Sequence, residues 1–240
     1  MRKKYTVLTF LLFLSVLIFS FPMRGLAGIL DNQDYISIES GEGFWWKGHL
    51  RDVQLNNQRI GDINISYKPL AIFLGKFKFR SSISEPGISL EGFFGKTLLG
   101  NTFIEELEIT LLPNIKKNNT KIDLDNIVNL IGKIDFLVFD QRQCIKASGN
   151  GIAEVKDMFG LIPKSIKLDF FLSCTDSNIK IVFTSGKDGL LEGNVLIKDF
   201  YEYELEATSN RLADRIKELS KLNFKKEPSI KFSGNLQQLF

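Results

Sequence analysis

Beyond its first thirty residues the chain repeatedly places apolar side chains at every second position. Such runs include Ile63, Ile65 and Tyr67; Phe77, Phe79 and Ile83; and Phe103, Leu107, Ile109 and Leu111. They continue through Ile166, Leu168, Phe170 and Leu172; Ile179, Ile181 and Phe183; and Tyr201, Tyr203, Leu205 and Ala207. A period of two puts one set of side chains on a buried face and the other in water, the signature of β-strands. Between the runs stand clusters rich in glycine and asparagine, which tolerate positive φ. They are Ser40-Gly41-Glu42-Gly43, Asn56-Asn57, Glu85-Pro86-Gly87, Asn118-Asn119, Gly149-Asn150-Gly151 and Gly186-Lys187-Asp188-Gly189. Connections this short predict antiparallel hairpins. Helical spacing occurs at Leu212, Ile216 and Leu219, within Asn210 to Leu222, and a shorter helix is predicted over Asp125 to Gly132. The expected fold is therefore mainly β, antiparallel sheet of many hairpin-connected strands with one or two short helices.

The first residues obey another rule. Arg2, Lys3 and Lys4 precede 17 uncharged, mostly apolar residues from Tyr5 to Phe21, and Pro22 and Arg24 end the run. A helix of that length rises about 25 Å, short for a bilayer span and long for the core of a signal peptide. Gly25-Leu26-Ala27 is an acceptable cleavage site, whereas the leucine and phenylalanine content favours a retained single transmembrane helix. Both readings keep the cations on the cytoplasmic side and export the remainder of the chain. The expected organisation is residues 1–28 as a signal-anchor and 29–240 as a periplasmic β-rich domain in the bacterial inner membrane. A subdivision near 114–121, where Pro113, Lys116, Lys117, Asn118 and Asn119 interrupt the strands, competes with a polar hairpin tip.

Charge and inventory then narrow the chemistry. The net charge of +3 includes four cations in the first 24 residues, leaving −1 for the rest, so no basic surface awaits nucleic acid. With one histidine and two cysteines, a histidine-built zinc site has almost no material. Gly95-Lys96-Thr97 would end a phosphate-binding loop, but Leu90 stands where its first glycine belongs. A dinucleotide fingerprint through Gly41 and Gly43 meets Trp46 in place of its third glycine. His49 has no nucleophile beside it in sequence and reads as a strand histidine. Glu202, Glu204 and Glu206 alternate with apolar residues, and with Glu105, Glu106 and Glu108 they read as wet faces. The expectation is no catalytic residue, no metal and no cofactor. Cys144 and Cys174 are expected to form a structural disulfide, because two thiols in an exported protein are more often bonded than free and Cys174 shares the parity of the buried Ile166 to Leu172 set. Two buried free thiols are the alternative.

Gly43-Phe44-Trp45-Trp46-Lys47-Gly48 resembles the Gly-x-apolar-Trp-x-Gly signature near the start of the type II secretion system protein N family. Gly61 matches that family's second-turn glycine, and Tyr67, Pro69, Leu74 and Gly75 resemble its aromatic-x-Pro-x-x-Leu-x-x-Gly element, with tyrosine where tryptophan is commoner. Ala147-Ser148-Gly149, Gly193-Asn194-Val195 and Gly234 are similar to its later glycine-centred strands. The resemblance implies an accessory, non-enzymatic inner-membrane protein whose partners are the other inner-membrane and periplasmic subunits of the secretion apparatus. On physical grounds Gly43, Gly48 and Gly75 would serve tight turns or close approach, Pro69 would end a strand, and at least one of the adjacent Trp45 and Trp46 should be buried. A second reading comes from the 21 phenylalanines: an apolar β-groove that binds or transfers lipid between membranes.

Overall fold

The computed structural model describes residues 2–31, 36–55, 58–112, 127–156, 165–186, 191–199, 202–208 and 229–235. They form a mainly β, antiparallel protein of thirteen strands, two α-helices and one 3₁₀ helix. Contacts divide the chain into two units, Met1–Glu85 and Pro86–Phe240. Residues 114–121, the boundary weighed from sequence, lie outside the described residues, as does the helix expected over 210–222.

In the first unit, α1 (Arg2–Phe19) and α2 (Met23–Asp31) precede β1 (Ile36–Phe44), β2 (Lys47–Leu55), β3 (Gln58–Tyr67), the 3₁₀ helix Pro69–Leu74 and β4 (Lys76–Glu85). The four strands pair antiparallel in sequence order. The 18 residues of α1 rise about 27 Å. No helix among the described residues is long and apolar enough to cross a membrane. Phe10, Leu12, Phe13, Leu14, Val16 and Phe19 of α1 are all exposed, so the helix is apolar around its circumference and buries none of these side chains in protein.

The small-residue segment Gly25-Leu26-Ala27 lies in the middle of α2. The physical reason is spacing: Met23, Leu26, Ala27 and Leu30 recur at i, i+3, i+4 and i+7, one face of a helix. Met23 and Ala27 are 2 % and 4 % exposed, packed with Ile38, Leu50 and Val53 of the strands, and Leu26 and Leu30 lie against the same cluster. The Asp31 carboxylate accepts a 2.9 Å hydrogen bond from the Ile38 N–H, fixing the helix end to β1.

The second unit holds β5 (Ile88–Thr97), β6 (Thr102–Leu111), β7 (Ile127–Asp140), β8 (Gln143–Lys156), β9 (Ser165–Thr175), β10 (Asn178–Thr184), β11 (Glu192–Lys198), β12 (Glu202–Thr208) and β13 (Ser229–Asn235). Each strand pairs antiparallel with the next. The helix expected over Asp125 to Gly132 is a strand from Ile127 onward. Ile127, Val128, Ile131 and Ile134 are β-branched, and pairing with both β6 and β8 outweighs a weak helical spacing. Two predicted turns are likewise strand: Ser40 to Gly43 belongs to β1, whose turn falls at Trp45-Trp46, and Gly149 to Gly151 lies inside β8. Their glycines answer crowding, not chain reversal. A Cβ on Gly151 would collide with the Phe170 ring and the Ile131 carbonyl, and one on Gly149 would lie 2.8 Å from the Lys133 carbonyl oxygen.

The period of two holds across strands in register. Gly149, Leu172, Ile181, Val195, Leu205 and Phe232 succeed one another from β8 to β13 on one face. The neighbouring row on the other face runs Asn150, Phe171, Val182, Asn194, Glu206 and Lys231. Buried Leu137, Cys144 and Ile179, from β7, β8 and β10, form one core cluster, and Val155, Ile166 and Leu168 form a second. Phe103 of β6, at 1 % exposure, is the most completely buried large side chain among the described residues.

Candidate functional site

The residues of the sequence signature converge on the seat of the two N-terminal helices. The β1–β2 hairpin turns at Trp45 and Trp46, with Gly43 opposite Gly48. Gly43 sits at φ 84°, and a Cβ there would lie 2.7 Å from the Lys47 carbonyl oxygen, so only glycine fits both conformation and space. A Cβ on Gly48 would lie 2.7 Å from Met23 Cγ and 2.8 Å from the Phe44 carbonyl oxygen; its bare Cα lets α2 settle on the hairpin. Gly41 does the same beside it: a Cβ would lie 2.9 Å from the Met23 carbonyl oxygen and 3.1 Å from Ala27 Cβ.

The turn also holds the end of α1. The Trp46 indole N–H donates to the Phe19 carbonyl at 3.0 Å, occupying one of the four carbonyls that a helix end leaves open. The Trp45 N–H donates to the Phe21 carbonyl at 3.3 Å, and Pro22 makes a bridge with Phe44. Of the two tryptophans, at least one of which was expected to be buried, neither is fully so. Trp45 is half-buried and packs with Tyr67 and Phe79 at centroid distances of 5.6 and 6.4 Å. Trp46 is exposed and stacks on Phe44 at 5.9 Å.

Tyr67 ends β3, and its N–H bonds the Trp46 carbonyl at 2.7 Å. Pro69 then opens the 3₁₀ helix, which Gly75 closes at φ 70° with its N–H on the Ile72 carbonyl. Pro69 thus comes just after the end of a strand, as expected. Gly61 differs from expectation, because it lies within β3 and not in a turn. Its φ of 105° and the Glu85 side chain packed where a Cβ would stand explain the glycine there.

On the strands beside this seat lies a groove of about 380 Å³, lined among others by Glu42, Lys47, His49, Asn64, Ser66 and Arg80. His49 Nδ1 is 2.8 Å from Asn64 Oδ1, and its Nε2 is 3.4 Å from Asp62 Oδ2. Both ring nitrogens therefore have polar partners on the neighbouring strand β3. Asp62 accepts the Asp52 N–H at 3.0 Å, and that bond, aided by His49, holds its carboxyl below the usual range against the opposing effect of burial. Among the described residues no group of three His, Cys, Asp or Glu side chains could hold a metal ion. Glu204 and Glu206 of the second unit pair with Lys198 and Lys231 at 2.6 and 3.1 Å, and exposed Glu202 shares their face.

Cys144 and Cys174 form a disulfide, with Cα atoms 5.8 Å apart, between the start of β8 and the end of β9. Cys144 is buried beside Leu137 and Ile179, and its N–H bonds the Ser177 carbonyl at 2.7 Å.

Sequence reasoning passed over Met23, and it gave Ala27 to a cleavage site and Gly41 to a turn when both belong to the seat of α2. The signal was present in the spacing of Met23, Leu26, Ala27 and Leu30, but nothing in sequence says that the glycines of a strand face that helix. Fold and site together define a mainly β protein whose signature residues seat an apolar N-terminal helix on a hairpin. Comparison of the chain with protein families, curated proteins and solved structures finds no match.

Proposed function

We propose that this chain is an accessory, non-catalytic component of type II protein secretion, of the protein N kind. On this reading α1 tethers it to the bacterial inner membrane and both β units work in the periplasm through contacts with other subunits. The observation that carries the proposal is the convergence of Gly43, Trp46 and Gly48 on Phe19 and Met23. A signature spent on fixing a tether to a sheet is what a component that must present its surface at a set orientation to the membrane requires, and it gives no substrate a place to react. The disulfide fits an oxidising compartment. Burial of Met23 and Ala27 favours retention of the N-terminal segment, because cleavage after Ala27 would strip both from the core.

The test is a deletion strain complemented with the full chain. Folded exoproteins should accumulate in the periplasm on deletion and reach the medium again on complementation; normal secretion in the deletion strain overturns the proposal. A second reading, lipid binding or transfer, has one observation in its favour: the face bearing Leu172, Ile181, Val195 and Leu205 carries no charge along that row and is only partly buried. Mass spectrometry of the full chain purified with its native lipid would support it if one acyl-lipid class is retained at fixed stoichiometry through washing, and would count against it if lipid washes away.

A further inference from the structure

The end of the first unit nearest the tether exposes far more apolar surface than a water-facing turn requires. Leu70, Phe73 and Leu74 of the 3₁₀ helix are 77 %, 84 % and 78 % exposed, and Phe44 and Trp46 at the β1–β2 turn are exposed as well. In an antiparallel meander the β1–β2 turn and the β3–β4 connection fall at the same end, and hydrogen bonds join them here. The Trp46 indole holds the Phe19 carbonyl of α1, and the Trp46 carbonyl holds the N–H of Tyr67, two residues before the 3₁₀ helix begins. The patch is therefore continuous with the end of α1.

Charge points the same way. From Ile63 to Ser84 the sequence holds Lys68, Lys76, Lys78 and Arg80 and no carboxylate, and the first acidic residue of the whole chain is Asp31. At the β1–β2 turn Lys47 adds a cation, and the carboxylate there, Glu42, is paired with Arg51 at 2.9 Å. An apolar, aromatic tip with this cationic excess is the composition of a surface that sits among anionic headgroups.

Length supplies the reason for such a surface. The uncharged part of α1 from Tyr5 to Phe19 rises only about 22 Å, against roughly 30 Å of hydrocarbon. A tether that falls short by about 8 Å draws whatever is fixed to its end down to the bilayer, and 5 to 10 Å is the depth to which interfacial apolar groups enter.

We propose that the 3₁₀ helix Pro69–Leu74 and the Phe44–Trp46 turn form a second membrane contact, which seats the first unit on the anionic phospholipid surface where α1 emerges. This rests on the tether reading of α1. Phe73, Leu70 and Leu74 enter the headgroup region, Trp46 lies at its edge, and the lysines face lipid phosphates. The unit would then be held at two points and not swing about the single connection between α1 and α2.

The experiment uses the full chain reconstituted into vesicles of phosphatidylethanolamine and phosphatidylglycerol. An environment-sensitive fluorophore is placed through Phe73→Cys in one variant and Glu39→Cys in another, with the Cys144–Cys174 bridge left oxidised. Glu39 is exposed on β1 and five residues, roughly 17 Å, from Phe44. Spin-labelled lipid carrying its nitroxide near the headgroup should quench the probe at 73 by about twofold or more and leave the probe at 39 unchanged. Adding Leu70→Glu and Leu74→Glu, both surface changes, should abolish the quenching at 73 while the chain still floats with the vesicles. Equal, weak quenching at 73 and 39 in vesicle-bound protein overturns the second contact and leaves the tether intact. A chain that does not float with vesicles overturns the tether reading, and this inference with it.

Discussion

Gly41→Ala inverts an ordinary rule and so tests how α2 is held. In an open strand, alanine for glycine is favourable by roughly 0.5 to 1 kcal/mol, because glycine gives up more backbone freedom on folding. Here the new methyl carbon would stand 2.9 Å from the Met23 carbonyl oxygen, 3.0 Å from its carbonyl carbon and 3.1 Å from Ala27 Cβ. Two of these are main-chain atoms of a helix, which no rotamer change moves aside. If α2 stays in place, overpacking costs about 1 to 3 kcal/mol. If it lifts away, Met23 alone, 2 % exposed, forfeits about 1.5 to 3 kcal/mol of burial. The cheaper route sets the outcome, and the two are close, so the expected loss is about 1 to 3 kcal/mol with partial release of the helix. Urea unfolding of the full chain in detergent micelles, monitored by the fluorescence of Trp45 and Trp46, reads the first quantity. Trypsin cleavage after Arg24, which needs an extended backbone, reads the second. Gly28→Ala in α2 is the matched control: nothing lies within 4 Å of its added Cβ, so it should stabilise by nearly 1 kcal/mol through helix propensity. If Gly41→Ala is as stable as the parent and Arg24 stays protected, the packing of α2 on β1 is not as described.

Removing the disulfide as Cys144→Ala with Cys174→Ala should cost about 3 to 4 kcal/mol in urea unfolding, from closure of a chain segment with sequence separation 30; a loss below about 1 kcal/mol would mean that the unfolded chain is already restrained. The Asp62 carboxyl is held below its ordinary value near 3.8 chiefly by the Asp52 N–H. A folded pKa below the unfolded one contributes stability above that ordinary value and loses it as pH falls through the folded value. Acid unfolding should therefore be shallower below pH 3.8 in Asp62→Asn than in the parent, and parallel curves would contradict the role given to that hydrogen bond.

Where sequence and structure agree, the information is local. Ile166, Leu168, Phe170 and Leu172 declare their face through alternation alone, and β9 buries or half-buries them accordingly while Lys167, Asp169 and Phe171 face outward. Cys174 continues that parity, which is why its bond to Cys144 could be anticipated. Where they part, the deciding neighbour lies far away in the chain. Gly41, Gly149 and Gly151 look like turn formers because glycine permits turns, yet each serves a crowded approach by α2, a neighbouring strand or the Phe170 ring. The stretch from Ile127 to Gly132 is strand and not helix for the same kind of reason, since strands on both sides of Ile127–Asp140 supplied hydrogen bonds that a short isolated helix could not match. Of the signature, the roles of Gly43, Pro69 and Gly75 were legible because backbone conformation is a property of the residue itself. The partners of Gly48 and Trp46 were not, because contact with Met23 and Phe19 depends on where α2 and α1 are laid.

By itself, then, the sequence indicated many of the strands and most of their wet and dry faces, made a bond between its two cysteines the expectation, and marked the apolar, cation-headed start of the chain, all consequences of residue type at fixed spacing. Tertiary structure alone decided which strands cover the apolar face of α2, that the tryptophan turn clasps the end of α1, and that Leu70, Phe73 and Leu74 gather at that same end. Those facts depend on which surfaces meet once the strands are paired, and a period read along one strand carries no record of the neighbour that will cover it.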